Sequence, residues 1–574
     1  MFKNWLRISL IIFIFFILSL PALAKEENLE EIRIKKIISE DVKYFSFEEI
    51  EKLPFFSSEE IIDYSSSIDL IKRSTFGIQQ DLSIRGSLFE DNFITLNGLK
   101  LNDPQSGHFN LELPLTYFDL EKVEVLKNPQ KINFTLKKPK ERGIYLKSGF
   151  GQHALWEKLL SFNFPLKGFK NRFSLEHKIS SGARQDTDFD IYNLSYYTLW
   201  EKEEKVIDFF FGHTQRDFGA DSFYSVRFPH QEEHIQQDLS FIHSKFNNWE
   251  NQLYFRRHKD TYILDRHNPF FYKNQHKTYL WGLNSKFDIL DNFFLNFNIE
   301  KQKLTSTRLN QHNRFKKGFL LGIKDKVFDN FIFSFYAGLE DDHPGDYLED
   351  IYIGIGYLLD ENLRLRMCLN RFGRAPSFTE LYYSDPANQG NPDLKNQKTD
   401  AFEFGFDIWD DKQKFGFSFF LKNQSHTIDW VKNTPLDAWQ AKNIGKIEPF
   451  GFELNYVLKF NLGFLESFSL DYTYLNLRQK NPYSYSKYIF DYNQHKLVSI
   501  FSFKIKKIDL NLISNFSHPC QRKSYNTFDL KISKNFKNYE FFIEGINIFN
   551  QNYEETKDIK GINRWYKLGL IISF

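Results

Sequence analysis

The sequence predicts an all-β membrane protein, about 22 antiparallel strands closed into a barrel with a small N-terminal α+β domain plugging the lumen. Three observations predict it. Apolar and polar residues alternate along much of the chain. The connections between alternating segments are by turns very short and long. Aromatic residues make up 18% of the chain, with 65 Phe and 29 Tyr, yet mean hydropathy is only -0.48.

The alternation is clearest at the C-terminus. Tyr566, Leu568, Leu570, Ile572 and Phe574 fall on one face, and Lys567, Gly569 and Ser573 on the other, with Ile571 the exception. Phe468, Leu470, Tyr472 and Tyr474 oppose Ser469, Asp471 and Thr473 in the same way, and Ile508, Leu510 and Leu512 oppose Asp509 and Asn511. Each reads as a strand with one apolar face. Alternation alone does not separate a soluble sandwich from a membrane barrel, whose apolar face meets lipid and whose polar face lines the lumen.

The connections separate them. Tight ones are expected near 247–248, 290–291, 360–361, 411–412 and 537–538, and long ones near 216–233, 259–274, 374–396, 478–491 and 550–562. Short turns at one end and long loops at the other are the asymmetry of an outer-membrane barrel, and the aromatic excess supplies its two interfacial girdles.

The N-terminus agrees with export. Lys3 and Arg7, an apolar run from Ile8 to Leu20, and Ala22-Leu23-Ala24 form a secretory signal with its cleavage site. The run is too short for a spanning helix. Formal net charge is +1, which gives no footprint for nucleic acid. Cys368 and Cys520 are the only cysteines, which excludes a disulfide framework and a cysteine zinc site.

A lumen of this width is expected to be plugged, and residues 25–141 are the material for it. A helical stretch is predicted near Ser57–Ile71, with short strands near Asp81–Arg85, Asn92–Leu96 and Leu120–Leu126. The expected organisation is a signal peptide at 1–24, a periplasmic leader at 25–45, a plug at 46–141 and the barrel at 142–574.

Several segments carry a family resemblance. They are "DLSIRG" from Asp81, "ITLNGLKLNDPQSGHFNLELP" and "LEKVEVLKNP" in the plug region, "RAPSFTELYY" with "GNPDLKNQKTDAFEFGF" in mid-barrel, and "INIFNQNYEE" with "NRWYKLGLIISF" at the end. In that order the chain resembles the TonB-dependent outer-membrane receptors. The stretches 101–114, 216–234 and 256–276 look like those of receptors grouped with the vitamin B12 importer.

The resemblance implies an outer-membrane importer of a scarce small molecule too large for porins, cobalamin or another corrinoid, with a ferric siderophore as the alternative cargo. It implies a TonB-type partner that pulls on Glu30, Glu31, Ile32, Arg33 and Ile34 by pairing with them as an added strand. A flexible leader is the competing reading of that segment. The implied surroundings are outer-membrane lipid and lipopolysaccharide, and the implied state is a monomer without a cofactor. Arg85, Gly86, Glu121 and Glu124 take structural positions in the plug, Arg85 as a plug-to-barrel ion pair or an internal hydrogen-bond donor rather than a ligand contact. One departure stands out. "NPQKINFTLKK" passes almost directly from Pro129 into the next strand where the family has a glycine-rich loop, so the plug is shortened and a receptor-only or passive barrel is a rival reading.

Asp103, Gln105, Ser106 and His108 form a polar plug turn that either faces ligand or simply turns the chain at Pro104 and Gly107. Tyr224 and Arg227, with His230, lie in one long loop, and Tyr382, Tyr383 and Asn388 in another; all are ligand-contact candidates or solvated positions. His230, Glu232, Glu233 and His234 cluster as metal ligands do, but with no fixed scaffold in sight the solvated loop is the expected reading and no metal site is assigned. No nucleophile, base and orienter assemble, and no phosphate-binding loop is present. The chain is expected not to be an enzyme.

Overall fold

The computed structural model describes residues 41–574 except 75, 224–226, 291, 344–345, 480–482, 490 and 557–558. The signal peptide, the leader segment Glu30–Ile34 and Tyr224 lie outside the described residues.

Twenty-two strands form one closed antiparallel barrel, in chain order apart from short strands that belong to external loops. It opens with Gly143–Gly151 and closes where Trp565–Ser573 pairs back onto that strand, Lys567 opposite Gly151 and Ser573 opposite Tyr145. Closure leaves no unpaired edge, the condition for crossing lipid with strands. The predicted facing holds. Leu568 is 61% exposed on the outer surface and Lys567 only 1% exposed on the inner. Near the short turns Phe246, Trp249, Phe331, Phe464, Tyr539 and Phe574 point outward, one aromatic girdle.

The short turns fall at the expected places: 247–248 between Glu232–Phe246 and Trp249–Ile263, and 536–538 between Tyr525–Asn535 and Tyr539–Ile546. Two long loops are shorter than expected. Strand Lys205–Gly219 runs on past 216 and Glu232–Phe246 begins before 234, while Lys273–Leu290 starts at 273. Apolar–polar alternation continues through these polar segments on the loop side, which a reading based on hydrophobicity assigns to loop. A further long connection, 426–446, carries its own hairpin, Ile428–Lys432 with Trp439–Asn443. It joins Asn388–Gln389 and Tyr485–Ser486 in a four-stranded external sheet.

Inside the barrel, a mixed five-stranded sheet runs in the order Val42–Ser46, Leu120–Leu126, Lys131–Leu136, Phe93–Leu96, Leu99–Lys100. Its buried residues, among them Ile94, Leu96, Val123, Val125, Ile132 and Phe134, form one core that reaches the barrel wall at Tyr197, Phe210 and Phe241. The helix expected at Ser57–Ile71 is instead a 3-10 segment, Ser58–Tyr64, followed by strand Ile68–Lys72 paired with Gln80–Ile84. Ser65, Ser66 and Ser67 interrupt any helical run, and the β-branched Ile68 and Ile71 favour the strand. The α-helix lies earlier, at Phe47–Lys52, started by a capping box between Ser46 and Glu49.

Candidate functional site

The inner domain is joined to the barrel at many points, among them Arg172 with Asp119, Arg216 with Glu59 and Lys496 with Asp63; two zones bear on opening. The first surrounds Arg85. The turn after strand Gln80–Ile84 places Arg85 and Gly86 at φ 52° and 73°, which aims the guanidinium at the barrel wall. Nε donates to Glu453 at 2.6 Å, Nη2 to the other oxygen of Glu453 at 3.1 Å, and Nη1 to Glu403 at 2.5 Å. The ring of Phe420 lies 4.2 Å below. Lys127 donates to Glu453 and to Asp41, at 2.6 and 2.9 Å. Arg366 holds Glu403 and Asp407, and Arg364 also holds Asp407. Arg85, Lys127, Arg364 and Arg366 thus face Asp41, Glu403, Asp407 and Glu453, charge for charge, as buried ions require. Burial works against ionising Asp41, but Arg366, Lys127 and Arg85 hold its carboxyl well below the ordinary range. Asp41 immediately precedes the first strand, so the chain entering that strand is tied into this network.

The second zone is the apex, Asp103–Asn110. Asp103 is buried. It accepts from the amide of Gln105, lies 3.1 Å from Nη1 of Arg256, and accepts from the Thr278 hydroxyl at 3.3 Å. Above the apex sits a short helix, Phe378–Tyr382, in the long connection 375–396. Its first two amides donate to the inner domain, Phe378 to the Pro104 carbonyl at 2.9 Å and Thr379 to the Gln105 carbonyl at 3.0 Å. Arg374 clamps the same junction, with Asp91 at 2.7 Å on one side and Glu380 on the other. Burial and the Glu380 charge push the Glu90 carboxyl beneath it up to about 8. Beside this junction a cavity of about 60 Å³ lies between Asn102, Asp103, Glu300, Gln302, Lys316 and Arg374.

The expected site residues therefore divide. Asp103, Gln105 and Ser106 are buried under the loop helix rather than open to solvent. His108 binds Asp81 at 2.6 Å and stacks on Phe89 at 4.2 Å. Tyr382 stacks on His312 at 3.6 Å, Tyr383 is half-buried beside it, and Asn388 is tied to Asp385. Arg227 is on the exposed surface of its loop. Glu124 accepts from Asn133 and Lys122, while Glu121 is exposed. The histidine cluster is kept only in part, with Glu232 3.7 Å from Nε2 of His234. His234 turns to Asp217 at 2.7 Å, Glu233 is buried, Glu232 pairs with Arg266, and His230 reaches Asp186 on another loop.

Sequence reasoning missed the aromatic face of the external sheet. Trp430, Trp439 and Tyr488 gather with Tyr382 and Tyr383 around Leu381, Leu394 and Ile428. Lys432 lies 4.6 Å over Trp439, and Lys487 5.5 Å over Tyr488. The signal for it was two tryptophans flanking the turn-forming "NTPLDA".

A family model described as "TonB dependent receptor-like, beta-barrel" matches residues 89–548, and one described as "TonB-dependent Receptor Plug Domain" matches 35–136. The chain belongs to the TonB-dependent receptor family. The receptor is accordingly an outer-membrane transporter rather than an enzyme, working with a TonB-type partner on a small-molecule ligand. No curated protein matches its sequence. Solved structures share its fold. The FrpB iron transporter from Neisseria meningitidis is 12% identical with a TM-score of 0.76, over 94% of this chain and 100% of that one. The siderophore receptor PirA from Pseudomonas aeruginosa is 15% identical at 0.72, over 93% and 99%. The copper transporter OprC is 13% identical at 0.77, over 94% and 99%. At these identities the likeness is one of fold.

Proposed function

We propose that the receptor is an energised importer of a metal chelate too large for porins, with a leader at 25–45, a plug at 46–141 and a barrel at 142–574. The observation that carries this reading is the double hold on the plug: the charge network around Arg85 below, and the amides of Phe378 and Thr379 on the apex above. A bound ligand shifts such an arrangement only by its differential affinity for the open and closed states. Opening both zones calls for work supplied from outside, and Glu30, Glu31, Ile32, Arg33 and Ile34 are the segment on which a TonB-type partner would pull. Asp41, tied to Lys127, is where that pull would enter the network.

For the cargo, two chelates have support. The stretches 101–114, 216–234 and 256–276 favour cobalamin or another corrinoid. The lysine-flanked aromatic face at Trp430, Trp439 and Tyr488 favours a ferric siderophore with anionic aromatic groups. Arg227, Tyr382, Tyr383 and Asn388 are proposed first contacts, with Tyr224 beside Arg227 in sequence. Asp103, Gln105, Ser106 and His108 come within reach once the loop helix lifts. We further propose a monomer held in lipid and lipopolysaccharide.

The test is uptake of radiolabelled cobalamin and of a ferric catecholate by cells making the receptor. It is run with and without residues 29–36, and with the proton gradient collapsed. Import of one chelate, lost under both treatments, is the expected result. Uptake that survives both treatments refutes energised import, and binding without uptake establishes the receptor-only reading.

A further inference from the structure

Three external loops meet beyond the cluster in which Ala220 and Phe223 pack with the plug residues Phe76 and Phe109. Asp186 comes from the connection 181–188, His230 from 220–231, and His267 from 264–272. Nδ1 of His230 lies 2.6 Å from the Asp186 carboxylate, and the rings of His230 and His267 stand 4.8 Å apart at 68°. One ligand-capable atom from each residue falls within 4.8 Å of the others. Tetrahedral coordination at about 2.0–2.1 Å places such atoms roughly 3.4 Å apart. The remaining closure is within a rotamer adjustment of His267, which is exposed.

The backbone holds the three residues in place independently of any ion. The amide of Asp221 donates to the carbonyl of Asp186 at 3.1 Å, and that of Arg266 to the carbonyl of His230 at 2.8 Å. The amide of His267 is fixed by the Asp265 side chain at 2.9 Å. An Asp–His ion pair accounts for Asp186 and His230 but not for the placing of His267, whose imidazole has no hydrogen-bond partner among the described residues. Arg266 touches Asp186 at 3.1 Å, but it also holds both oxygens of Asp188 and one of Glu232, so it can release Asp186 without losing its charge partners.

We propose that Asp186, His230 and His267 bind one divalent transition cation of borderline softness, zinc-like rather than calcium-like, that pins three external loops together. Two imidazoles and one carboxylate suit such an ion, and a fourth position is left for water. The proposal does not depend on which chelate is carried, since the three ligand residues are not among the proposed cargo contacts.

The test is titration of the purified full-length receptor in detergent with Zn²⁺, followed by calorimetry and by metal analysis after gel filtration. One ion per chain is expected. His267→Ala is expected to weaken binding at least tenfold and the double variant H230A/H267A to abolish it, with heat-modifiable gel mobility showing that both barrels remain folded. Cysteine-free spin labels on the 181–188 and 264–272 loops should report a narrower distance distribution with Zn²⁺ in the native loops only. Stoichiometry unchanged in the double variant, no saturable Zn²⁺ binding, or a preference for Ca²⁺ would each overturn the proposal.

Discussion

Arg85 and Glu453 form a two-point pair across the boundary between plug and barrel, 2.6 Å through Nε and 3.1 Å through Nη2, with both side chains buried. Removing one member leaves buried charge without its partner, which costs about 3–5 kcal/mol. Lys127 also reaches Glu453 and Arg366 also reaches Glu403, so Arg85→Met is expected at the low end of that range. Protease nicking of the plug in native membranes should become at least tenfold faster, with the barrel's own heat transition unchanged. Adding Glu403→Gln alone to Arg85→Met should recover part of the loss, because Lys127, Arg364 and Arg366 then face three carboxylates, Asp41, Asp407 and Glu453.

Gly86 follows Arg85 with φ 73°, and a Cβ there would lie 2.8 Å from Leu475 Cδ2 and 3.1 Å from Leu477 Cδ1. Left-handed backbone alone costs a non-glycine residue about 1–2 kcal/mol, and the two leucines must also shift. Gly98 has φ 79° with nothing near its missing Cβ, which makes it the matched control. Urea unfolding of the plug should show Gly86→Ala more damaging than Gly98→Ala by about 1 kcal/mol, within the range of overpacking costs. Equal losses would mean that the wall at Leu475 yields freely.

Much of the barrel was legible because its rule is local. Lys567 between Tyr566 and Leu568 declares two faces without reference to any other strand, and the turn at 247–248 is marked by two asparagines. What sequence misread depends on distant partners. Asp103 reads as part of a polar turn that faces ligand or simply turns the chain, and its burial against Arg256 and Thr278 on the barrel wall depends on partners far away in sequence. Ile61 and Ile62 with Tyr64 have a spacing that suits an α-helix and a 3-10 turn alike, so pairing of Ile68–Lys72 with Gln80–Ile84 decides where the helix signal ends. The aromatic face at Trp430 and Trp439 exists because three other loop segments complete its sheet.

Asp429 sets a pH dependence on that sheet. It is 1% exposed, and burial pushes its carboxyl up to about 7, against hydrogen bonds from the Ser486 hydroxyl and the Trp430 amide. A folded-state pKa above the unfolded value means that the sheet's stability is full below about pH 4 and is lost as pH rises through about 7. Hydrogen exchange at the amides of residues 428–432 and 439–443, corrected for intrinsic rate, should show less protection at pH 8.5 than at pH 5.5. Asp429→Asn should flatten the dependence. Protection that rises with pH in the native receptor would show that Asp429 is charged in the closed sheet.

The amides of Phe378 and Thr379 on the carbonyls of Pro104 and Gln105 make the loop helix a cover fastened to the plug backbone. If cover and plug must separate for import, joining them covalently should stop transport and leave the barrel intact. Gln105→Cys with Thr379→Cys brings two thiols to positions whose backbones are joined by a 3.0 Å hydrogen bond, and non-reducing electrophoresis checks that the disulfide forms. Cys520 is exposed and is replaced by serine in this background, while buried Cys368 is retained. Oxidised cells should lose uptake of the chelate they carry by at least tenfold and regain it on adding a reductant, with the uptake of either single-cysteine variant the same in oxidised and reduced cells. Full uptake by the cross-linked receptor would show that ligand passes without lifting the helix from the apex, and would direct attention to the cavity between Asp103, Gln302 and Lys316 as the route.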